Sequence, residues 1–299
     1  MKNKLSLEKV KCIVCSSENY SQFLKVQNRF KLTESFKLVS CECGLIFLNP
    51  RPVESEIYKY YQSNHYDPHI KKKKNYIFDT IYNSIKKRAF KRKFKIISKF
   101  LPFKNNLSHL DIGGGMGEFC DFMKNKGYFT QNYDSSQTAI AISKLNKINT
   151  LNSLNQVESN SIDCITGWHS IEHIHNIDSL LKNMHRILKN EKFLFLCVPN
   201  YKSIDQYFFK EKWVAWDAPR HLYHFNPKVL KNLLENYKFK VVYNESLLQD
   251  TGYNILMSMN KNSILSIINS IFIMIYSYFK ILIHGYNKSS SFIVVCQKQ

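Results

Sequence analysis

Four of the nine glycines in this chain stand within five positions, in the run Asp111-Ile-Gly113-Gly114-Gly115-Met116-Gly117. The run follows LSHLDI, which reads as a strand, and precedes EFCDFMKNKG, which reads as a helix ended by Gly127. A glycine-rich turn in that context brings backbone amides to the carboxyl end of a strand and lets a ligand approach them closely. The dinucleotide-binding fingerprint is weakened and the P-loop is excluded. G-x-G-x-x-G counted from Gly113 needs glycine where Glu118 stands, and no Gly-Lys-Ser/Thr follows for a P-loop.

The segments beyond the turn continue the alternation. YFTQNYD reads as a second strand, SSQTAIAISKLN as a helix, SIDCITG as a strand after a polar loop, and DSLLKNMHRILK as a helix with Asp178 as its expected cap. EKFLFLCVPN is a further strand stopped by Pro199, and Ser291-Phe-Ile-Val-Val-Cys-Gln reads as the last. Strands joined by helical crossovers imply parallel pairing with helices on both faces, the doubly wound α/β class. A length of 299 residues, 44% of them hydrophobic, supports one or two domains and excludes a disordered tail or a collagen-like fibre.

Of the eight cysteines, Cys12, Cys15, Cys41 and Cys43 are grouped near the start. Two close thiolate pairs separated by a loop can wrap tetrahedrally around one zinc ion, and Gly44 allows a tight turn beside it. A structural zinc module over residues 1–50 is therefore expected, against the plainer reading of four reduced thiols. Cys120, Cys164, Cys197 and Cys296 lie in apolar runs and read as buried small hydrophobes. The first residues carry charge but no apolar stretch of signal-peptide length, so a cytoplasmic location is expected.

Forty-three Lys and Arg against 23 Asp and Glu give a net charge of +20, which admits nucleic acid, anionic membrane surfaces or acidic metabolites as partners. Part of it is local. Residues 51–106 form a linker with the run Lys71 to Lys74, followed by an amphipathic helix on which Ile77, Phe78, Ile81, Tyr82, Ile85 and Ala89 share a face and basic residues crowd positions 86 to 95. Near the C-terminus, Leu265 to Phe279 is an apolar run shorter than the roughly 20 residues that span a bilayer. It stands just before the last strand, so a buried or lid-like helical hairpin is expected over about 263–285, with no transmembrane span. Peripheral attachment to an anionic membrane is the secondary reading.

The Asp111 to Gly117 run resembles the D-x-G-x-G-x-G motif of class I S-adenosylmethionine-dependent methyltransferases. The resemblance implies a mostly parallel, seven-stranded Rossmann-like sheet over 107–299. It implies that Asp111, Gly113, Gly114, Gly115 and Gly117 hold the methionine part of the cofactor and that Asp134, ending the second strand, binds the ribose hydroxyls. A carboxylate able to accept from both hydroxyls is an independent reason for Asp134. Ser161 to Ile174, which contains Gly167, Trp168, His169 and the Glu172-His173 pair, is similar to the family segment beside cofactor and substrate. WVAWDAPRHLYHF resembles the family's substrate-side insertion, at about 201–225. The N-terminus resembles a branch with a small cysteine-containing module, some of it associated with sugar C-methylation or surface-polysaccharide clusters. One departure is that Asn152, Ser153 and Leu154 stand where the family commonly has an acidic residue near the adenine.

Methyl transfer asks the protein to align an acceptor and, for most acceptors, to remove a proton. His221 is the preferred base, with His169 and His224 as alternatives, because imidazole titrates near neutrality. Trp213 and Tyr223 are candidate walls of a substrate pocket, and Arg220 is a candidate partner for a substrate carboxylate or phosphate. The expected function is methylation of a small or lipid-linked anionic metabolite such as an activated sugar. RNA methylation and a non-enzymatic, zinc-containing interaction protein are the rivals.

Overall fold

The computed structural model describes residues 6–61, 76–102, 106–260 and 263–299. The chain opens with β1 (Leu7–Glu8), β2 (Tyr20–Asn28), β3 (Lys31–Cys41), β4 (Ile46–Leu48), β5 (Arg51–Pro52), α1 (Glu54–Ile57) and the long helix α2 (Tyr76–Phe100). Then come β6 (Ser108–Ile112), α3 (Glu118–Lys124), β7 (Phe129–Tyr133), α4 (Gln137–Leu145), β8 (Asn149–Leu151), β9 (Ile162–Trp168), α5 (Ile177–Ile187) and β10 (Leu188–Pro199). The last third holds α6 (Ile204–Phe209), β11 (Tyr223–His224), α7 (Pro227–Asn236), β12 (Phe239–Ser246), α8 (Leu248–Ser258), α9 (Ile264–His284) and β13 (Ser291–Lys298).

Seven strands form one sheet in the order β12-β13-β10-β9-β6-β7-β8, and β6 is parallel to both β7 and β9. The expected doubly wound, mostly parallel sheet is present. Its middle explains why no alternation is visible in the sequence there: His109, Leu110 and Ile112 of β6 and Cys164 and Ile165 of β9 are wholly buried, as strands covered on both faces must be. Cys120, Cys164, Cys197 and Cys296 are buried thiols, as expected.

Two compact units divide the chain. One comprises Met1–Tyr66, His169–Lys182 and Leu196–Cys296, and the other Asp67–Trp168, Asn183–Phe195 and Gln297–Gln299. In the first, the segment between the cysteine pairs is an antiparallel β2–β3 hairpin. It belongs to a second sheet, ordered β11-β4-β3-β2, whose far strand comes from the 201–225 insertion, with Tyr223 opposite Phe47.

In the second unit, α2 forms where the basic amphipathic helix is expected. Phe90 and Phe94 stack on Phe122, Ile96 and Ile97 are buried, and Lys87, Arg88, Lys91 and Lys95 face water. The Lys71 to Lys74 run lies outside the described residues, as do the side chains of Ile77, Phe78, Ile81, Tyr82 and Ile85.

Two expectations are corrected. Helix α5 is capped by Asn176, whose Oδ1 accepts from Ser179 N–H at 3.0 Å; Asp178 lies inside the first turn and instead accepts from Lys182 and Tyr237. An Asn one residue before the helix offers its side chain to the free N–H groups, whereas a residue already in the helix points outward. The C-terminal hairpin also differs. Helices α8 and α9 pack together, but α9 is not buried, and its large apolar side chains face outward. By length and composition it is, among the described residues, the one helix long and apolar enough to cross a membrane.

Candidate functional site

The glycine-rich turn is pinned by the end of β7. Gly113 N–H donates to Tyr133 O at 2.7 Å, Gly115 N–H to Asp134 Oδ2 at 2.9 Å, and Asn132 Nδ2 to Gly115 O at 2.8 Å. Gly113, Gly115 and Gly117 have φ of 68°, 55° and 76°, a region that residues with a Cβ avoid. At Gly117 an added Cβ would lie 2.6 Å from Ser143 Oγ, a hydroxyl already bonded to Asn132 and Thr150. Gly117→Ala is therefore expected to cost about 2–4 kcal/mol from backbone strain and crowding. Urea unfolding should show a lowered midpoint with an unchanged slope.

Asp134 has two carboxylate oxygens, and each accepts one backbone N–H: Oδ2 that of Gly115, Oδ1 that of Ser136. Each oxygen retains a second acceptor position, so a vicinal diol fits there. Asp111 is different. It is buried, its Oδ1 accepts from the Thr166 hydroxyl at 2.5 Å, and burial pushes its carboxyl up to about 7 against the pull of that hydrogen bond. It braces the turn from beneath. Trp168, after the buried Gly167, packs edge-on to Phe119 under the Lys93 ammonium, 4.5 Å from its ring, and its buried Nε1 has no hydrogen-bond partner. The diol acceptor, the exposed glycine backbone and this unused donor fit an adenosyl cofactor. Near the expected adenine position, Ser153 Oγ accepts from Asn155 N–H, capping a short turn in which Leu154 is buried.

The first compact unit gathers a dense set of titratable groups. His169 has a φ of 53°; its Nε2 lies 2.8 Å from Asp250 Oδ2 and its Nδ1 3.4 Å from Glu172 Oε1. Desolvation opposes its charge, but Cys197 and Asp250 outweigh that and raise its pKa well above the ordinary value. Glu172 is wholly buried, and although burial resists ionisation, His169, His173 and His221 hold its carboxyl below its usual range.

His173 Nδ1 lies 3.0 Å from Arg220 O, and burial, aided by the His221 charge, pushes its pKa down to about 4. His221 stacks edge-on against it with ring centres 4.6 Å apart. Its Nδ1 lies 2.8 Å from Ala215 O and donates to it, and Asp217 Oδ2 stands 3.9 Å from Nε2. Burial, then the His221 charge, holds His224 neutral, and it packs on Trp216.

Beside this cluster opens a cavity of about 640 Å³. Lys25 and Arg29 of the hairpin line it, with Lys212, Trp213, Trp216 and Asp217 of the insertion. Asp217 thus belongs to both the cavity wall and the histidine cluster. Trp213 presents an edge to the cavity while its indole N–H is held by Asp205. Arg220 is buried, with its guanidinium 4.6 Å over the Phe30 ring and paired to Asp217. Tyr223 is buried at the hairpin sheet, where its hydroxyl accepts from Arg51 at 2.7 Å. Arg220, Tyr223 and the three candidate bases His169, His221 and His224 are not among the cavity-lining residues, and Asp217 is the link between His221 and the cavity wall.

The four thiols near the N-terminus meet. The sulfurs of Cys12, Cys15, Cys41 and Cys43 all lie within 4.8 Å of one another, with Cys12–Cys43 and Cys15–Cys41 each at 3.4 Å. Tetrahedral zinc with bonds of about 2.3 Å has sulfurs about 3.8 Å apart, so the arrangement fits a metal ion. Gly44, with a φ of 94°, donates to Cys41 O at 2.9 Å and closes the second turn. Burial pushes the Cys12 thiol up strongly and that of Cys43 to about 11.

Glu172, Asp217 and Asp250 escape a sequence reading as site residues, although the first stands in the Glu-His pair and the second in WDAPRH. Lys25 and Arg29 carry no signal, because nothing local shows that the hairpin forms a wall.

A protein-family model described as a methyltransferase domain matches residues 85–244. No curated protein matches the chain. Among solved structures, a protein from Galdieria sulphuraria provisionally described as a sarcosine dimethylglycine methyltransferase superposes with a TM-score of 0.51 at 13% identity, over 71% of this chain and 86% of that one. An S-adenosylmethionine-dependent methyltransferase from Archaeoglobus fulgidus gives 0.47 at 20% identity, over 71% and 94%. Phosphoethanolamine N-methyltransferase 2 of Haemonchus contortus, solved with S-adenosyl-L-methionine, gives 0.49 at 16% identity, over 70% of this chain but only 52% of that longer one. At these identities the likeness is one of fold.

Proposed function

Because the chain belongs to the class I S-adenosylmethionine-dependent methyltransferases, we infer that it methylates a small or lipid-linked anionic metabolite, such as an activated sugar of surface-polysaccharide biosynthesis. The observation that carries the anionic acceptor is the cavity, whose lining has three cations, Lys25, Arg29 and Lys212, against two carboxylates, Glu211 and Asp217, the second already paired to Arg220. Volumes of this order suit a small-molecule ligand. When bound, the cofactor supplies an electrophilic methyl group. Asp134 would hold its ribose and the Gly113 to Gly117 backbone its methionine end.

The proton-handling residue in this reading is His221. Its Nδ1 proton is committed to Ala215 O, so Nε2 accepts the acceptor's proton, and Asp217 stabilises the imidazolium that results. His169, clamped between Asp250 and Glu172, orders the loop. The four-thiol cluster holds a structural zinc ion, since no ligand position is left open, and it keeps the hairpin in place to form the cavity wall.

The test begins with the zinc-loaded protein and calorimetric titration with S-adenosylmethionine, where absence of binding would overturn the cofactor assignment. Against an acceptor found by methyl incorporation, Lys25→Ala combined with Arg29→Ala is expected to raise KM at least about 10-fold with kcat and cofactor affinity little changed. An unchanged KM would remove the anionic-acceptor reading.

A further inference from the structure

Helix α9 is built inside out for a helix in water. Its inner face carries Ser270, Ser277 and Ile281, all buried, with Ser270 Oγ donating to Ser266 O at 2.8 Å, and both α8 and α6 pack against the helix. Its outer face carries Leu265, Phe272, Phe279 and Leu282 among other large apolar residues, with Leu282 85% exposed and Leu265 69%. A surface helix in water buries its apolar stripe and turns its polar one outward. Small residues at the helix–helix contact with large aliphatic ones pointing away is the arrangement of helices packed together in lipid.

The surface continues beyond α9. Phe208 of α6 packs edge-on against Tyr276 with ring centres 5.9 Å apart, and Tyr207, Tyr253 and Leu256 are exposed as well. Patches this long on a soluble chain mark an interaction surface. From Ile264 to Ile283 the face runs about 29 Å at 1.5 Å per residue.

We propose that the outer face of α9, with Phe208 and its neighbours, docks the protein on an anionic lipid bilayer, the helix lying in the plane of the surface. Several features select lipid over a protein partner. Helix α9 contains no Asp or Glu, and its one lysine, Lys280, sits over the Tyr276 ring at 5.4 Å. Lys210 and Lys212 stand exposed just past α6, on a chain of net charge +20, where cations meet anionic headgroups. Exposed tyrosines at the margin suit the headgroup level.

The in-plane orientation follows from the neighbours of α9. Helix α8, packed along it, carries Asp250, whose carboxylate holds His169; a crossing would draw that ion pair into hydrocarbon. Lying in the interface instead buries the outer stripe and leaves the rest of the unit in water. The inference is independent of which acceptor is methylated, although a lipid-linked one would be met at the same surface.

The test uses the full chain with zinc and flotation with vesicles of phosphatidylglycerol and phosphatidylcholine, alongside phosphatidylcholine alone. Binding to the anionic vesicles is expected, weakened several-fold by salt. The combined variant Ile271→Gln, Phe272→Gln, Leu282→Gln should bind at least about 10-fold more weakly while its circular dichroism and cofactor affinity stay unchanged. Flotation of the variant equal to that of the parent would overturn the proposal. So would failure of the parent to float together with a concentration-dependent dimer, in sedimentation equilibrium, that the same substitutions dissolve. Single tryptophans placed at Leu265, Phe272 and Leu282 should be quenched alike by a shallow bromolipid, read against the parent's own fluorescence; a deep centre with shallow ends would mean a span and overturn the in-plane arrangement.

Discussion

Replacing Asp134 with alanine is expected to weaken S-adenosylmethionine binding by a factor of about 100 or more. The carboxylate does two things at once. It offers each oxygen's second acceptor position to one ribose hydroxyl, and it fixes the turn through the 2.9 Å bond from Gly115 N–H. Hydrogen bonds to a charged group contribute about 1.5–3 kcal/mol each, so losing two costs about 3–6 kcal/mol, where 1.4 kcal/mol is tenfold in affinity. Asp134→Asn keeps one acceptor oxygen and should fall between the two. Calorimetry on folded variants decides it: a loss below about tenfold for the alanine variant would mean that the ribose is held elsewhere.

Removing zinc should have the larger effect on stability. Four sulfurs crowded within 4.8 Å, with Cys12 and Cys41 buried, form a poor core without a cation, because buried thiolates repel one another and protonated thiols are weak partners. Structural zinc contributes folding free energy outright, about 10–16 kcal/mol in small zinc-dependent folds. Elemental analysis should find one zinc per chain. Chelation, or Cys12→Ser with Cys43→Ser, should lower Tm by well over about 10 °C or split the calorimetric transition in two. Acceptor turnover should fail first, since Lys25 and Arg29 ride on the hairpin that the cluster anchors. Cofactor affinity should change little, because the glycine turn and Asp134 belong to the other compact unit. Full zinc loss with unchanged Tm would show the cluster to be ornamental to the fold.

Chemistry carried by residues close in sequence was legible early. The turn from Asp111 to Gly117 and the acidic residue ending the next strand follow from one βαβ unit, and each pair of cysteines is set by its own tight turn. Long-range placement was not legible. Asp217 and Arg29 meet at one cavity because β11 pairs with β4, with Leu48 N–H donating to Leu222 O at 2.9 Å, and no local pattern announces a two-residue strand. The same holds for Glu172, an unremarkable acid in the sequence and a wholly buried one in the fold.

Helix α9 shows the division most sharply. Its apolar composition is a property of the sequence, and the length of the run and the strand that follows it led to the expectation of a buried or lid-like hairpin. Which face is covered depends on what packs against it, and in the fold the stripe with Ser270 and Ser277 is covered while the apolar one is left outside. The doubly wound class, the cofactor turn with Asp134 and the four metal-ready thiols can be read from residue order, because periodicity and short spacings act within one or two elements. The cavity, the partners of the histidines and the exposure of α9 come from the folded arrangement, because burial and charge pairing arise between residues that the chain itself keeps far apart.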